Sequence, residues 1–206
     1  MPAESLSVRE RSPAPTGRGE AVVLLADDGR PIGTARKSEV HGPATPLHLA
    51  FSIFLFDAGG RMLVQRRAWH KPTWPGVWSN ACCGHPQPGE AMEAAVARRL
   101  REELGMTGVT VHPALPDFRY RACWQGVWEN EVCPVFIGMA SGAVRPNPEE
   151  VAEVDWVEWT TFAAACREPA GTAFADFSPW SLLEGRRLDE TGVVRRLLEE
   201  GQDSLD

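Results

Sequence analysis

His41 and His48 stand seven residues apart on either side of GPATPL, and a third histidine, His85, sits in a glycine-rich stretch. Glu129 and Glu131 alternate along a segment with strand character, so both side chains project to one face. Three imidazoles and two carboxylates make a mixed nitrogen and oxygen donor set. It suits a divalent transition metal such as Mn, Fe or Zn and differs from a closed, cysteine-rich zinc site. Scattered histidines also serve as surface or structural residues, so spacing alone leaves both readings open. Cys83 lies between Cys82 and the pair Gly84-His85, where a metal or imidazole would alter thiol acidity and permit proton exchange. The alternative makes both adjacent cysteines small packing residues, a role also assigned to Cys123, Cys133 and Cys166.

A second group of charges belongs to the segment that follows. Glu90, Glu102 and Glu103 can meet oxygen-rich ligands through Mg²⁺, or can simply be the solvated side of a helix. Lys37, Arg66, Arg67, Lys71 and Arg99 can contact a strongly negative group, with arginine forks matching paired oxygens. Their alternative is ordinary solvated cations.

The elements that must position these residues can be read from pattern. AVVLLADDGRPIGTA is a strand, an Asp-Asp-Gly turn and a second strand. HLAFSIFLFDAGGRMLVQRRA repeats the device, with one strand from about Leu49 to Phe56 and a return through Met62 to Gln65. From Trp69 to Glu90, glycines and prolines crowd around Trp74, Trp78, Asn80, Cys82, Cys83 and His85. The expectation is a long irregular connection that forms a site. GEAMEAAVARRLREELGM is a helix with Met92, Ala95, Val96, Leu100 and Leu104 on its apolar side and Gly105 as its stop. DFRYRACWQGVWENEVCPVFIGMA predicts two strands turning near Gln125-Gly126, VDWVEW a further strand, Thr161 to Cys166 a short helix, and Leu188 through Leu198 a terminal helix. The sheet is expected to be mixed or antiparallel.

The chain has 206 residues, of which 43% are hydrophobic and 24% charged, enough to fill one domain. Residues 1–19 are rich in Pro, Ser, Gly and Arg and read as a disordered tail, leaving 20–206 as a single domain. Acidic residues outnumber Lys plus Arg by 28 to 21, a formal charge of -7. That excludes a broad nucleic-acid or anionic-membrane surface but leaves room for a local basic cleft. Five cysteines without a disulfide framework, no signal peptide and no long apolar span point to reduced thiols and a cytoplasmic location. Eight tryptophans against one tyrosine indicate either packing or an apolar pocket.

The segments HLAFSIFLF, RRAWHKPTWPGVWSNACCGHPQPGE, REELG, DFRYRA, ENEVCPVF and FSPW together resemble the type 1 isopentenyl-diphosphate delta-isomerase family. The likeness spans roughly residues 20–185, and its most specific part is Cys83-Gly84-His85 combined with Glu129-Asn130-Glu131 and the two upstream histidines. It implies an α/β fold, a Nudix-like mixed-sheet sandwich with flanking helices. It also implies that His41, His48, His85, Glu129 and Glu131 bind one divalent metal, Mn²⁺, Mg²⁺ or Zn²⁺ with Mn²⁺ favoured. Glu103 and the Cys83 main-chain carbonyl would hold Mg²⁺ bridging the substrate diphosphate. Lys37, Arg67, Lys71 and Arg99 fall on the phosphate side, and Trp180 and Tyr120 beside the hydrocarbon.

The pattern G-x5-E-x7-R-R-L-x-E-E-x-G, from Gly84 through Gly105, resembles a Nudix box with Arg99 where the hydrolase pattern has glutamate. The substitution counts against ordinary Nudix hydrolysis. The activity implied is interconversion of isopentenyl and dimethylallyl diphosphate without a redox cofactor. Glu131, helped by Tyr120, delivers a proton to the alkene, Cys83 is the base on the opposite face, and Trp180 shields developing cationic charge. A small-molecule substrate, no nucleic-acid, membrane or obligate protein partner, and a monomer are expected. The competing readings are a Nudix hydrolase of a nucleoside or related diphosphate and a metal-stabilised module that binds a diphosphate without turnover.

Overall fold

The computed structural model describes residues 20–203; the expected tail, 1–19, lies outside the described residues. In chain order the elements are β1 (Ala21–Leu25), β2 (Pro31–Arg36), α1 (Lys37–Val40), β3 (His48–Leu49), β4 (Phe51–Phe56), β5 (Arg61–Arg67), β6 (Trp78–Asn80), β7 (Cys82–Gly84) and α2 (Met92–Leu104). They continue with β8 (Val111–Leu115), β9 (Arg119–Trp124), β10 (Val127–Val132), β11 (Val135–Met139), β12 (Val151–Glu158), α3 (Trp159–Ala165), α4 (Pro179–Thr191) and α5 (Val193–Asp203). One sheet has the order β2-β1-β3-β10-β9. The other runs β12-β5-β4-β11-β8, with β6 beside β5 and β7 beside β4. The β3–β10 and β4–β11 pairs are parallel and the other pairs antiparallel, so the mixed sheet is borne out.

The apolar run HLAFSIFLF, expected as one strand, is two. Ala50 breaks it, and the chain leaves the five-stranded sheet after Leu49 to enter the seven-stranded sheet at Phe51. Its parallel neighbour does the same at Cys133-Pro134, where proline has no N–H for a ladder. The two crossings are tied by Ala50 N–H to Val132 O at 2.9 Å and Ser52 N–H to Pro134 O at 3.1 Å. The supposedly irregular stretch contains β6 and β7, each only three residues long, too short for a periodic signal. β8 carries Pro113, which masks its pattern, and the terminal apolar period hides a break at Gly192, whose φ of 66° separates α4 from α5.

β4 is buried along its whole length, as a central strand covered on both faces must be. Phe54 and Phe56 join a core with Met62, Ile137, Phe162, Leu188 and Val194 beneath α3, α4 and α5. Phe51, Ile53 and Leu55 face Val96, Leu100 and Leu104 of α2. α2 closes on Gly105, left-handed at φ 64° with its N–H on Arg101 O, as expected of a glycine stop. Its buried stripe includes two ionic residues, Arg99 and Glu103. A third cluster, Ala50, Trp74, Tyr120, Ala122, Cys133 and Trp180, draws on β9 of the five-stranded sheet, on connecting segments and on α4.

Candidate active site

Strand register assembles the first part of the site. Glu131 of β10 stands opposite His48 of β3 on one side and Tyr120 of β9 on the other. Residues directly opposite across a sheet share a face, so the three side chains project together. Glu131 Oε1 lies 3.2 Å from His48 Nε2 and 3.1 Å from His85 Nε2, while Oε2 accepts from Tyr120 O–H at 2.7 Å. His41, just past α1, places Nε2 2.9 Å from Glu129 Oε2. The histidine rings lie 5.2, 5.9 and 5.2 Å apart.

Donor atoms of His41, His48, His85 and Glu131 all lie within 4.8 Å of one another; Glu129 reaches this group through His41. The outer nitrogens of two rings are already occupied: His41 Nδ1 lies 3.2 Å from Lys37 O and His48 Nδ1 3.0 Å from Pro46 O. A carbonyl can only accept, so both Nδ1 atoms carry protons, and in the neutral ring each Nε2 offers its lone pair as a metal ligand. In the metal-free protein a proton bridges such a nitrogen to its carboxylate, and a bound cation would take that place. His48 Nε2 and Glu129 Oε2 are buried without an aligned hydrogen bond, and the residues therefore fit a divalent metal.

Acidities follow the same geometry. Burial would raise Glu131, but hydrogen bonds from His48 and His85 hold it well below the usual carboxylate range. Burial pushes His85 down to about 4, with only partial compensation from Glu131. For His48, burial is outweighed by Glu131 and its pKa is raised. Burial, reinforced by Glu131 and Glu129, lifts Tyr120 well above its ordinary value, so it remains a phenol.

Cys83 approaches from the other sheet, on β7 opposite Ser52 of β4. Its Sγ is 3.3 Å from Ser52 Oγ and 3.3 Å from Asn80 Oδ1. Burial pushes the thiol up to about 12, so it is protonated in the ligand-free protein. Gly84 lets β7 touch α2, since a Cβ there would come 2.9 Å from Arg99 Cγ and from Phe51 Cζ.

The cations gather but are not free. Lys37 pairs with Glu20 and Lys71 with Glu150, both at 2.5 Å. Arg99 contacts Glu150 at 3.0 Å, Glu102 at 3.3 Å and Glu20 at 3.4 Å, and also pairs with Glu103. Burial opposes charge on Arg99, but Glu103 and its other acidic neighbours hold its pKa above the ordinary value. Glu20 responds in kind: burial would raise it, and Lys37 and Arg99 bring it down to about 2. Arg67 donates from Nε to Trp74 O at 3.2 Å and from Nη2 to Thr73 O at 3.1 Å. Glu103 also accepts from Gln65 Nε2 at 2.8 Å. Arg66 lies apart, paired with Glu153 at 3.1 Å and stacked on Trp69.

These residues enclose a cavity of about 60 Å³ bordered by Cys83, His85, Tyr120, Glu131, Trp180 and the Lys37, Arg67, Lys71 and Arg99 group. A larger groove of about 650 Å³ lies between β9 and α4; it shares Tyr120 with this cavity, but neither the histidines nor Cys83 lines it. Trp180 is buried and donates from Nε1 to Ser79 Oγ at 3.0 Å. Two site residues, Ser52 and Glu184, escaped the pattern reading, and Trp74 was legible only as a member of the stretch expected to form the site. Trp74 donates to Glu129 Oε1 at 2.9 Å, stacks on Trp124 and meets Trp180 edge-on. It does so from a backbone φ of 53°, a conformation costly for a bulky residue and retained where surroundings fix it. Ser52 and Glu184 are wholly buried beside Cys83 and Cys133; a serine within an apolar run and a glutamate on an ordinary helix carry no signal in sequence.

Residues 46–180 match the NUDIX domain model. The chain is 54% identical over 182 residues to an isopentenyl-diphosphate Delta-isomerase from Mycolicibacterium vanbaalenii, covering 88% of this chain and 98% of that one. It is 47% identical over 184 residues to one from Klebsiella pneumoniae, with 87% and 98% covered. Among solved structures, DR0079 from Deinococcus radiodurans superposes with a TM-score of 0.63 at 19% identity, over 82% of this chain and 99% of that one. A MutT protein from Methanosarcina mazei gives 0.56 at 20% identity, over 71% and 96%. The structural likenesses bear on fold alone.

Proposed function

Since the chain belongs to the isopentenyl-diphosphate Delta-isomerase family and to the wider Nudix fold, we propose that it interconverts isopentenyl diphosphate and dimethylallyl diphosphate by a metal-dependent proton transfer between Glu131 and Cys83. One observation carries the residue assignment. The Glu131–Tyr120 pair is presented by the five-stranded sheet and Cys83 by the seven-stranded sheet, and both border the same cavity. A five-carbon chain between them meets a proton donor on one face and an acceptor on the other.

His41, His48, His85, Glu129 and Glu131 would hold a divalent cation, with Mn²⁺ favoured, whose positive charge would organise Glu131 and tune its acidity. Glu103 and the Cys83 carbonyl would hold Mg²⁺ against the diphosphate. In the forward direction the Glu131 carboxyl group, assisted by Tyr120, gives a proton to the terminal alkene carbon. Cys83 takes one from the neighbouring methylene, and the double bond moves between them. Trp180 shields the tertiary cationic character that develops. The ligand-free protein favours a Cys83 thiol and a Glu131 carboxylate, the proton arrangement from which the reverse reaction starts. The forward arrangement holds the same number of protons, shifted by one position.

Lys37, Arg67, Lys71 and Arg99 bind the diphosphate, whose oxygens displace the Glu20 and Glu150 carboxylates, and fixing that end aligns the reacting carbons. Arg99 stands where the hydrolase pattern has a glutamate, which disfavours activation of water at phosphorus. Residues 20–206 act as one catalytic domain, monomeric and cytoplasmic, in isoprenoid synthesis; among the described residues no helix is long and apolar enough to cross a membrane.

The test is incubation of the metal-supplied protein with isopentenyl diphosphate in deuterated water. Dimethylallyl diphosphate carrying solvent deuterium is expected. Release of inorganic phosphate instead would turn the reading to hydrolysis, and tight binding without product to a recognition module.

A further inference from the structure

Glu184 is a buried acid that the proposed chemistry does not use. It sits on α4 with no exposed surface and makes no ion pair among the described residues. Its Oε1 is 3.8 Å from Cys133 Sγ, its Oε2 has no hydrogen-bond partner, and Ser52 is the hydroxyl beside it. A carboxylate so placed would lose its hydration with no cation in return, so the group is held neutral; burial, together with the negative Glu131, pushes its pKa well up. A neutral carboxyl group is a donor as well as an acceptor.

The hydrogen bonds around Cys83 give that proton a use. Asn80 donates from Nδ2 to Ile53 O at 2.9 Å and Cys82 O at 3.2 Å, which fixes its amide and leaves Oδ1 facing the sulfur. The Cys83 S–H therefore has its acceptor at 3.3 Å. Ser52, also 3.3 Å from Cys83 Sγ, has a single proton to place. Beside an ionised Glu184 that proton would turn to the carboxylate. Beside a neutral Glu184, which donates, it turns to the sulfur.

We propose that Glu184 is a positioning residue that, by donating to Ser52, aims the Ser52 hydroxyl at Cys83 Sγ and so stabilises negative charge on the sulfur. The role in turnover rests on Cys83 exchanging protons with substrate as read above; the aiming of the hydroxyl does not.

The full chain, loaded with Mn²⁺ and supplied with Mg²⁺, is compared with Glu184→Leu, Glu184→Gln and Ser52→Ala. Two readouts are taken: kcat and KM on isopentenyl diphosphate, and the rate of iodoacetamide labelling at Cys83 followed by peptide mass. Glu184→Leu and Ser52→Ala are expected to lower kcat and slow Cys83 labelling by roughly tenfold each, the worth of one hydrogen bond to a charged group, with KM within about twofold. Glu184→Gln, whose amide still donates, is expected to stay within about threefold of the parent in both. Parental labelling in Glu184→Leu and Ser52→Ala overturns the proposal, as does Glu184→Gln matching Glu184→Leu, which would show that an ionised carboxylate is needed. If Glu184→Leu fails to fold, Ser52→Ala removes the same donor without disturbing α4. If the parent itself forms no dimethylallyl diphosphate, the isomerase reading fails and the labelling rates alone decide.

Discussion

At the scale of single residues, the proposed mechanism separates groups that move protons from groups that hold them still. Cys83→Ala removes the thiol without adding bulk and is expected to cut isomerisation by about 10²–10⁴-fold while circular dichroism remains parental. Near-parental deuterium incorporation in that variant would remove Cys83 from the mechanism. Tyr120→Phe deletes the 2.7 Å bond to Glu131 and is expected to lower kcat by about tenfold or more with metal content unchanged, measured by atomic absorption beside the rate. Metal loss in that variant would assign Tyr120 to holding the ligand set instead. The residues legible in sequence were those with unusual type and order: His41, His48, Cys83, His85, Glu129 and Glu131. Ser52 and Glu184 were illegible because their roles depend on burial, and the letters around them read equally well as core, strand or solvated helix; Trp74 fell in the stretch expected to form the site, but its hydrogen bond to Glu129 had no sequence signature.

At the scale of elements, the contact between β7 and α2 couples the two sides of the site. Gly84 precedes His85 and packs against Arg99 and Phe51, so a methyl group there must push the helix or the Arg99 side chain, the proposed diphosphate contact, aside. Gly84→Ala is expected to raise KM for isopentenyl diphosphate severalfold and to destabilise the fold by about 1–3 kcal/mol, the usual range for overpacking. Urea unfolding together with steady-state kinetics tests this, and parental values in both would mean the contact yields without consequence. α2 itself was legible because its apolar spacing and its glycine stop agree. The split at Ala50 was not, because an unbroken apolar run looks alike whether it serves one sheet or two. The break after Thr191 was likewise hidden, since the apolar spacing continues across Gly192 while the backbone reverses hand.

At the scale of the whole molecule, metal, acidity and stability are linked. A metal that binds only the folded chain stabilises it by about 2.7 kcal/mol at a hundredfold excess over Kd, so Mn²⁺ is expected to raise Tm and a chelator to reverse the rise. The gain should shrink as pH falls, because protons compete for the histidines. In the metal-free chain His85, brought down to about 4, resists a proton that the unfolded chain accepts below about 6.5. Its contribution to stability therefore declines as pH drops between those values. The raised pKa of His48 acts oppositely: it stabilises fully below the unfolded value, and this is lost as pH rises through the folded one. A metal-induced Tm gain that stays constant from about pH 8 to about pH 5 would separate the histidines from the metal.

Acidic composition argued against a broad basic face but could not show that Glu20 and Glu150 pair with the local cations Lys37 and Lys71. The paired crossings at Ala50 and at Cys133-Pro134 set a mechanical limit on how a cavity of about 60 Å³ admits its guest. Two neighbouring chains passing together from one sheet to the other act like a riveted joint, so the sheets cannot slide past one another without shearing both. His48, Ser52 and Glu131 each lie two residues from that rivet and are held where leverage is least, leaving connections farther from it to swing.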